Sequence, residues 1–134
     1  MLIKTYKGKN IDQPHFFILN KGNNCGKPLT AACANCFVCL VNTDEEKEFY
    51  YWLCYALWQT AQFEPYLAGS VIPFIHIRDV KSIVANASVK VRQKPVEYQK
   101  KLTALIEIDQ QHKALSKQLN LLAELKKVLL RNIL

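Results

Sequence analysis

The chain has little glycine, no long apolar run, and neither glycine nor proline after residue 95. Its 134 residues include 4 glycines and 5 prolines, and residues 96–134 contain none of either. No segment reaches the roughly 20 apolar residues that a membrane-spanning helix needs. The first ten residues, MLIKTYKGKN, lack the apolar core of a secretory signal. We therefore expect a cytoplasmic protein without a membrane segment, built as one domain with a helical extension.

Acidic residues are also scarce relative to basic ones. The chain has 18 Lys and Arg against 11 Asp and Glu, which gives a formal net charge of +7. Residues 1–93 contribute +3 of this excess and residues 94–134 contribute +4. A basic balance of this kind permits contact with nucleic acid or with another acidic partner.

The apolar pattern predicts an α+β fold with a small mixed or antiparallel sheet, one packed amphipathic helix and a long carboxy-terminal helix. Residues 1–93 form the predicted head. Thr43 and Glu46 have the spacing of a capping box, which predicts a helix over about 44–63 that ends before Pro65. Period-two or continuous apolar patterns predict strands at 2–7, 15–20, 34–42 and, after Pro73, about 74–78, with a further short strand in 80–91.

The last segment, residues 94–134, has an apolar pattern typical of a coiled coil. Pro95 suits the first turn of a helix. Nine positions alternate three and four residues apart, and seven of them are apolar, the exceptions being His112 and Lys126. No second helix of that length is available within the chain, so we expect a homodimer. The predicted dimer interface consists of Leu105, Ile108, His112, Leu115, Leu119, Leu122, Leu129 and Ile133.

The motif CANCFVC spaces three cysteines three residues apart. A structural zinc site needs four ligands, usually as two pairs, and a ferredoxin-type run needs a fourth cysteine followed by proline. On a strand, Cys33 and Cys39 point to one face and Cys36 to the other, so the three do not converge. We favour reduced cysteines that pack in the core, with no metal or cofactor. A thiol or metal protein that uses Cys25, Cys33, Cys36 and Cys39 stays open as an alternative.

No catalytic grouping is apparent, but several basic residues are candidates for phosphate contact. The chain shows no local Ser-His-Asp, Cys-His or paired-carboxylate pattern, so we expect a protein that is not an enzyme. The loop KGNNCGKP follows a predicted strand but lacks the spacing of a phosphate-binding loop. His76 and Arg78 share one face of the predicted strand with Phe74. The candidate nucleic-acid-binding residues are Lys21, Lys27, His76, Arg78 and Lys81.

Residues 44–134 resemble part of a type I restriction-modification specificity subunit. The resemblance rests on the helix EEKEFYYWLCYALWQT, on GSVIPFIHIRDVKSIV, and on the long helix ending in LKKVLLRNIL. These are similar to the end of a target-recognition domain followed by that family's conserved helix. The resemblance implies an α+β head that binds double-stranded DNA and a helix that pairs with another helix. The chain would be half of such a subunit, with a methyltransferase as a possible partner.

The whole chain is also similar to a small bacterial family of uncharacterised proteins associated with mobile elements. The shared motifs are HFFILNKGNN and GSVIPFIHI, and they bring no known activity. Two functions therefore stay open. The first is a non-enzymatic DNA-recognition module, and the alternative is an adaptor that binds another mobile-element protein without binding DNA.

Overall fold

The structure is a computed structural model that describes all residues, 1–134. The chain divides into two compact units, a head of residues 1–93 and a carboxy-terminal unit of residues 94–134. The head contains strands β1 (Leu2–Thr5), β2 (His15–Leu19), β3 (Pro28–Leu29) and β4 (Cys36–Leu40), helices α1 (Asp44–Gln59) and α2 (Ile77–Arg92), and a short 3-10 turn (Glu64–Tyr66). The second unit is helix α3 (Pro95–Ile133). The predicted α+β class is confirmed.

The sheet of the head is antiparallel throughout, with strand order β1-β4-β2-β3. The strand β4 lies at the centre and pairs Phe37 with Thr5 of β1 and Val38 with Phe17 of β2. The strand β1 pairs only with β4, so its other side is a free edge of the sheet.

The two faces of the sheet differ in what covers them. Because side chains alternate along a strand, Phe16 and Cys39 point to the face on which the helices pack. That face holds the main core, which includes Leu53 of α1 and Val80 of α2. The opposite face holds a smaller cluster around Phe17, Cys36 and Val38. The partly buried side chains that pack against it are Tyr6, Ile11, Leu29, Cys33 and Leu40.

Helix α1 begins where the capping pattern predicts. The Thr43 hydroxyl accepts a hydrogen bond from the Glu46 backbone N–H at 3.1 Å, and the Glu46 carboxylate accepts one from the Asn42 backbone N–H at 3.0 Å. These bonds satisfy amides at the helix start that have no partner within the helix. The helix ends at Gln59, four residues before the predicted limit, and Ala61 then adopts a φ of 58° as the chain turns.

The predicted strands over 74–78 and 80–91 are wrong, because helix α2 occupies residues 77–92. Phe74 makes only isolated bridges, to Lys21 and Ala68, and the helix begins at Ile77. Val80, Val84 and Ser88 are buried at four-residue intervals, with Ile77 packed against the same core, which is the period of a helix. The β-branched residues of 80–91 and the short apolar–polar alternation of 74–78 favour strands when only local preference is considered. The head therefore packs two helices on its sheet, where one was predicted.

Helix α3 has the predicted extent. Its 39 residues give a length of about 58 Å at a rise of about 1.5 Å per residue. Ion pairs follow one another at i,i+4 spacing, from Lys101 Nζ to Glu97 Oε1 at 2.7 Å and from Lys113 Nζ to Asp109 Oδ2 at 3.0 Å. Lys101 beside Glu97 lowers the pKa of that carboxyl. Neither this helix nor any other has both the length and the apolar character required to cross a membrane.

Candidate polyanion-binding groove

A large cavity runs along the free edge of the sheet. Its volume is about 880 Å³, and it is bordered by β1, by the loop of residues 6–13 and by the start of α2. Four lysines line it: Lys4, Lys7, Lys9 and Lys81. Asp12 is the single carboxylate among its lining residues. We call this cavity the basic groove.

The local sequence explains why the lysines reach the groove. Ile3 is buried in the main core, so the next residue, Lys4, points to the other face of β1 and stays exposed. Gly8 has a φ of 79°, which turns the chain between Lys7 and Lys9. Lys81 lies one helical turn after Ile77 on α2, on the side that also lines the groove.

A second cavity of about 370 Å³ adjoins the basic groove, because Thr5 and Ile77 line both. Its lining includes Lys21, His76 and the ring of Phe74. Backbone hydrogen bonds join residues 20–22 to residues 73–75. The Gly22 N–H donates to the Pro73 carbonyl at 2.8 Å, and the Ile75 N–H donates to the Asn20 carbonyl at 3.0 Å. The Phe74 and His76 rings meet edge to face at 5.2 Å.

Charge is segregated over the head. The two joined cavities have five lysines and one histidine among their lining residues against the single carboxylate of Asp12. Four of the other six acidic residues of the head lie instead at the start of α1, where they favour the helix dipole: Asp44, Glu45, Glu46 and Glu48. A concave surface of one sign of charge concentrates ions of the opposite sign, so the joined cavities attract anions.

The structure brings three of the five predicted nucleic-acid-binding residues to these cavities, namely Lys21, His76 and Lys81. Arg78 lies three residues before Lys81 on α2, and its side chain is 85% exposed. Its Nε lies 3.8 Å from Asp79 Oδ1, and an exposed pair of this kind leaves the guanidinium available. The predicted strand face shared by His76 and Arg78 is wrong, because His76 is the residue before α2 and Arg78 belongs to its first turn.

Lys27 does not join the other candidates. Its Nζ lies 5.2 Å from the centre of the Trp58 ring, a cation–π contact that holds it against α1. Sequence reasoning missed Lys4, Lys7 and Lys9, which make up most of the charge of the basic groove. The signal was present in KTYKGK, where three of the six residues are lysines, within or directly after the strand predicted at 2–7.

The cysteines do not form a common site. Cys36 and Cys39 lie on opposite faces of β4, as predicted, but Cys33 lies before the strand and belongs with Cys36 rather than with Cys39. The Cys36 thiol donates to the Cys33 carbonyl at 3.2 Å. No three His, Cys, Asp or Glu side chains are grouped so that they could hold a metal ion. Burial raises the pKa of the Cys25 thiol to about 11, and it also raises the pKa values of Cys36, Cys39 and Cys54.

The predicted seam of α3 is exposed from Ile108 onward, whereas Leu105 is partly buried. Residues 111–134 are all exposed, and the apolar residues among them keep about half or more of their surface accessible. Leu119 is 68% exposed and Ile133 is 78% exposed. The apolar surface is wider than the predicted seam, because it also includes Leu121, Leu125, Val128 and Leu130. An apolar surface of this extent is typical of an interaction site.

Residues 3–132 match the model of one protein family, described as a family of unknown function (DUF6943). The chain belongs to this family. No curated protein and no solved structure matches the chain. The DUF6943 match covers both the head and α3, so the long helix lies within the family's region of similarity.

Proposed function

We propose that this DUF6943 protein is a non-enzymatic DNA-binding module, similar to half of a type I restriction-modification specificity subunit. In this proposal the head binds the phosphates of double-stranded DNA in the basic groove and the adjoining cavity. Helix α3 joins two copies of the chain. The observation that carries the proposal is the gathering of five lysines and His76 in two adjoining cavities with one carboxylate.

Lysine is suited to this role because its ammonium group is a compact charge on a flexible stem that pairs with phosphate without a fixed geometry. Each phosphate that is neutralised releases counterions, and this release supplies the sequence-independent part of DNA affinity. Arg78 is the candidate for reading a base, since a guanidinium can donate two parallel hydrogen bonds to guanine. The five cysteines are all free thiols, which supports a reducing, cytoplasmic location.

The test measures anisotropy of a labelled random duplex against protein concentration at several salt concentrations. We expect binding that weakens steeply with salt. Removal of three groove lysines, as Lys4→Ala, Lys7→Ala and Lys81→Ala together, should lower the slope of log affinity against log salt by about 2 to 3, since each phosphate contact contributes about 0.9.

The matched control removes the same charge from exposed lysines outside the groove, as Lys90→Ala, Lys100→Ala and Lys117→Ala together. The control should keep a slope within about 1 of the wild type, because it loses bulk charge and no phosphate contact. Equal losses in the two triple variants would show that net charge alone drives binding, and the groove would then have no part in it. No binding at low salt would end the DNA proposal.

A second candidate function is an adaptor that binds another protein of a mobile element without binding DNA. The wide exposed apolar surface of α3 favours it, since such a surface can receive a helix of a different chain. An adaptor should form a stoichiometric complex with that protein, and its affinity for the labelled duplex should be negligible.

A further inference from the structure

Charged residues are distributed unevenly along α3, and this distribution affects how two copies of its exposed apolar surface can pair. Residues 102–112 carry two acidic residues, Glu107 and Asp109, and no Lys or Arg. Residues 113–134 carry five Lys and Arg and one acidic residue, Glu124. The helix is therefore acidic in one stretch and basic in the next, although the apolar seam continues through both.

Lys126 occupies a seam position within the basic stretch. Its neighbours along the seam, Leu122 and Leu129, are 57% and 56% exposed. Lys126 therefore lies between two apolar side chains that a partner helix would bury. In a parallel pair in register, each seam residue faces its own copy, and two Lys126 ammonium groups would meet inside an apolar layer. Like charges in a site with little water repel strongly, and neither has a partner there.

We infer that two copies of α3 pair antiparallel, with the crossing point near residue 117. This inference rests on the self-association proposed above and adds its orientation and register. In an antiparallel pair, the seam positions of one helix lie level with the alternate set of seam positions in the other. The register that crosses near residue 117 places Leu119 level with Leu115 of the other copy, and Lys126 level with Ile108.

Charge selects this register over the neighbouring one. When Lys126 is level with Ile108, the two sequence neighbours of Ile108 on the second copy, Glu107 and Asp109, are both acidic, and Glu107 is exposed. A shift by one heptad places Lys126 level with Leu115 instead, whose sequence neighbours, Ala114 and Ser116, are both uncharged. The chosen register also brings the acidic stretch 102–112 of each copy beside the basic stretch of the other, which is the complementary arrangement for charge. A second copy of this chain therefore supplies both the apolar cover and the carboxylate that the surface requires.

The experiment is cysteine crosslinking of the full-length protein, preceded by light scattering to establish its mass. We expect a mass twice the 15.4 kDa of the chain. Two single variants are prepared, His112→Cys and Leu122→Cys, both at exposed positions whose side chains lie level with each other in the inferred register. The two copies of one residue are then about 15 Å apart along the axis, at a rise of about 1.5 Å for each of about 10 residues.

Under mild oxidation, neither variant should crosslink alone, and an equimolar mixture should give disulfide-linked dimers. Wild-type protein treated in the same way measures the background from the partly exposed Cys33. Circular dichroism of each variant confirms that the helix is retained. Crosslinking of either variant by itself would show a parallel pair and overturn the inference.

Other results separate this inference from the proposed function. A mass of one chain at the highest concentration tested would overturn self-association and with it the orientation, whatever the DNA measurement shows. A dimer of the inferred orientation that binds no DNA would support the helix pairing and end the DNA proposal. A complex that forms only with a different protein would overturn the inference and support the adaptor.

Discussion

We expect the substitution Gly26→Ala to lower the free energy of unfolding of the head by more than the strain of a positive φ alone would. Gly26 has a φ of 92°, which side-chain-bearing residues rarely adopt, and its N–H donates to the Leu19 carbonyl at 2.8 Å. A Cβ at this position would lie 2.9 Å from Cγ of Phe63 and closer still to another carbon of that ring. Phe63 is 2% exposed, so the ring cannot move away into solvent. The new methyl group must therefore displace part of the core.

Gly22→Ala is the matched control because Gly22 lies in the same loop with a φ of 104°, and no atom lies within 4 Å of the place that its methyl group would take. Positive φ costs an alanine about 1–2 kcal/mol in the free energy of unfolding. Overpacking of a tight core costs about 1–3 kcal/mol more. We therefore expect a loss of about 1–2 kcal/mol for Gly22→Ala and about 2–5 kcal/mol for Gly26→Ala.

The assay is urea denaturation followed by circular dichroism and tryptophan fluorescence, with the variants compared at equal protein concentration. If thermal melting is used instead of urea, each kcal/mol corresponds to about 4–8 °C in melting temperature for a domain the size of the head, residues 1–93. The substitution Phe63→Leu combined with Gly26→Ala should cost less than the sum of the two, because the smaller side chain leaves room for the methyl group. Equal losses for Gly26→Ala and Gly22→Ala would refute the packing argument and leave only backbone strain.

Two further predictions concern the cysteines and helix α2. With an alkylating reagent at mildly alkaline pH, Cys33 should react first, since it is partly exposed while the other four thiols are buried and have pKa values raised by that burial. Mass spectrometry of partly labelled protein checks this, and earlier labelling of any buried thiol would contradict it. Val84→Asp should cost at least about 3 kcal/mol because it buries an unpaired charge at a residue that is 1% exposed, whereas Val89→Asp, on the exposed side of the same helix, should stay within about 0.5 kcal/mol. Denaturation of both variants tests the helical assignment of residues 77–92.

The two helices of the head show where sequence reasoning succeeded and where it did not. Helix α1 was predictable because its start depends on local hydrogen bonds, with Thr43 and Glu46 at a fixed spacing. Helix α2 was not, since no side-chain hydrogen bond caps its start at His76. Its apolar residues Val80 and Val84 are compatible with either structure, and the decision came from the core on which they pack.

The sequence by itself determined the features that depend on local spacing or on total charge. These are the α+β class, the strands at the start of the chain, the capped helix α1, the long helix after Pro95 and the basic balance. Only the tertiary structure decided which charges stand together. Lys4 and Lys81 are far apart in sequence and line one groove because α2 packs beside the edge strand β1, and Lys27 leaves the group because its ammonium rests on Trp58. A cavity is formed by segments distant along the chain, so its lining cannot be inferred from the spacing of residues within one segment.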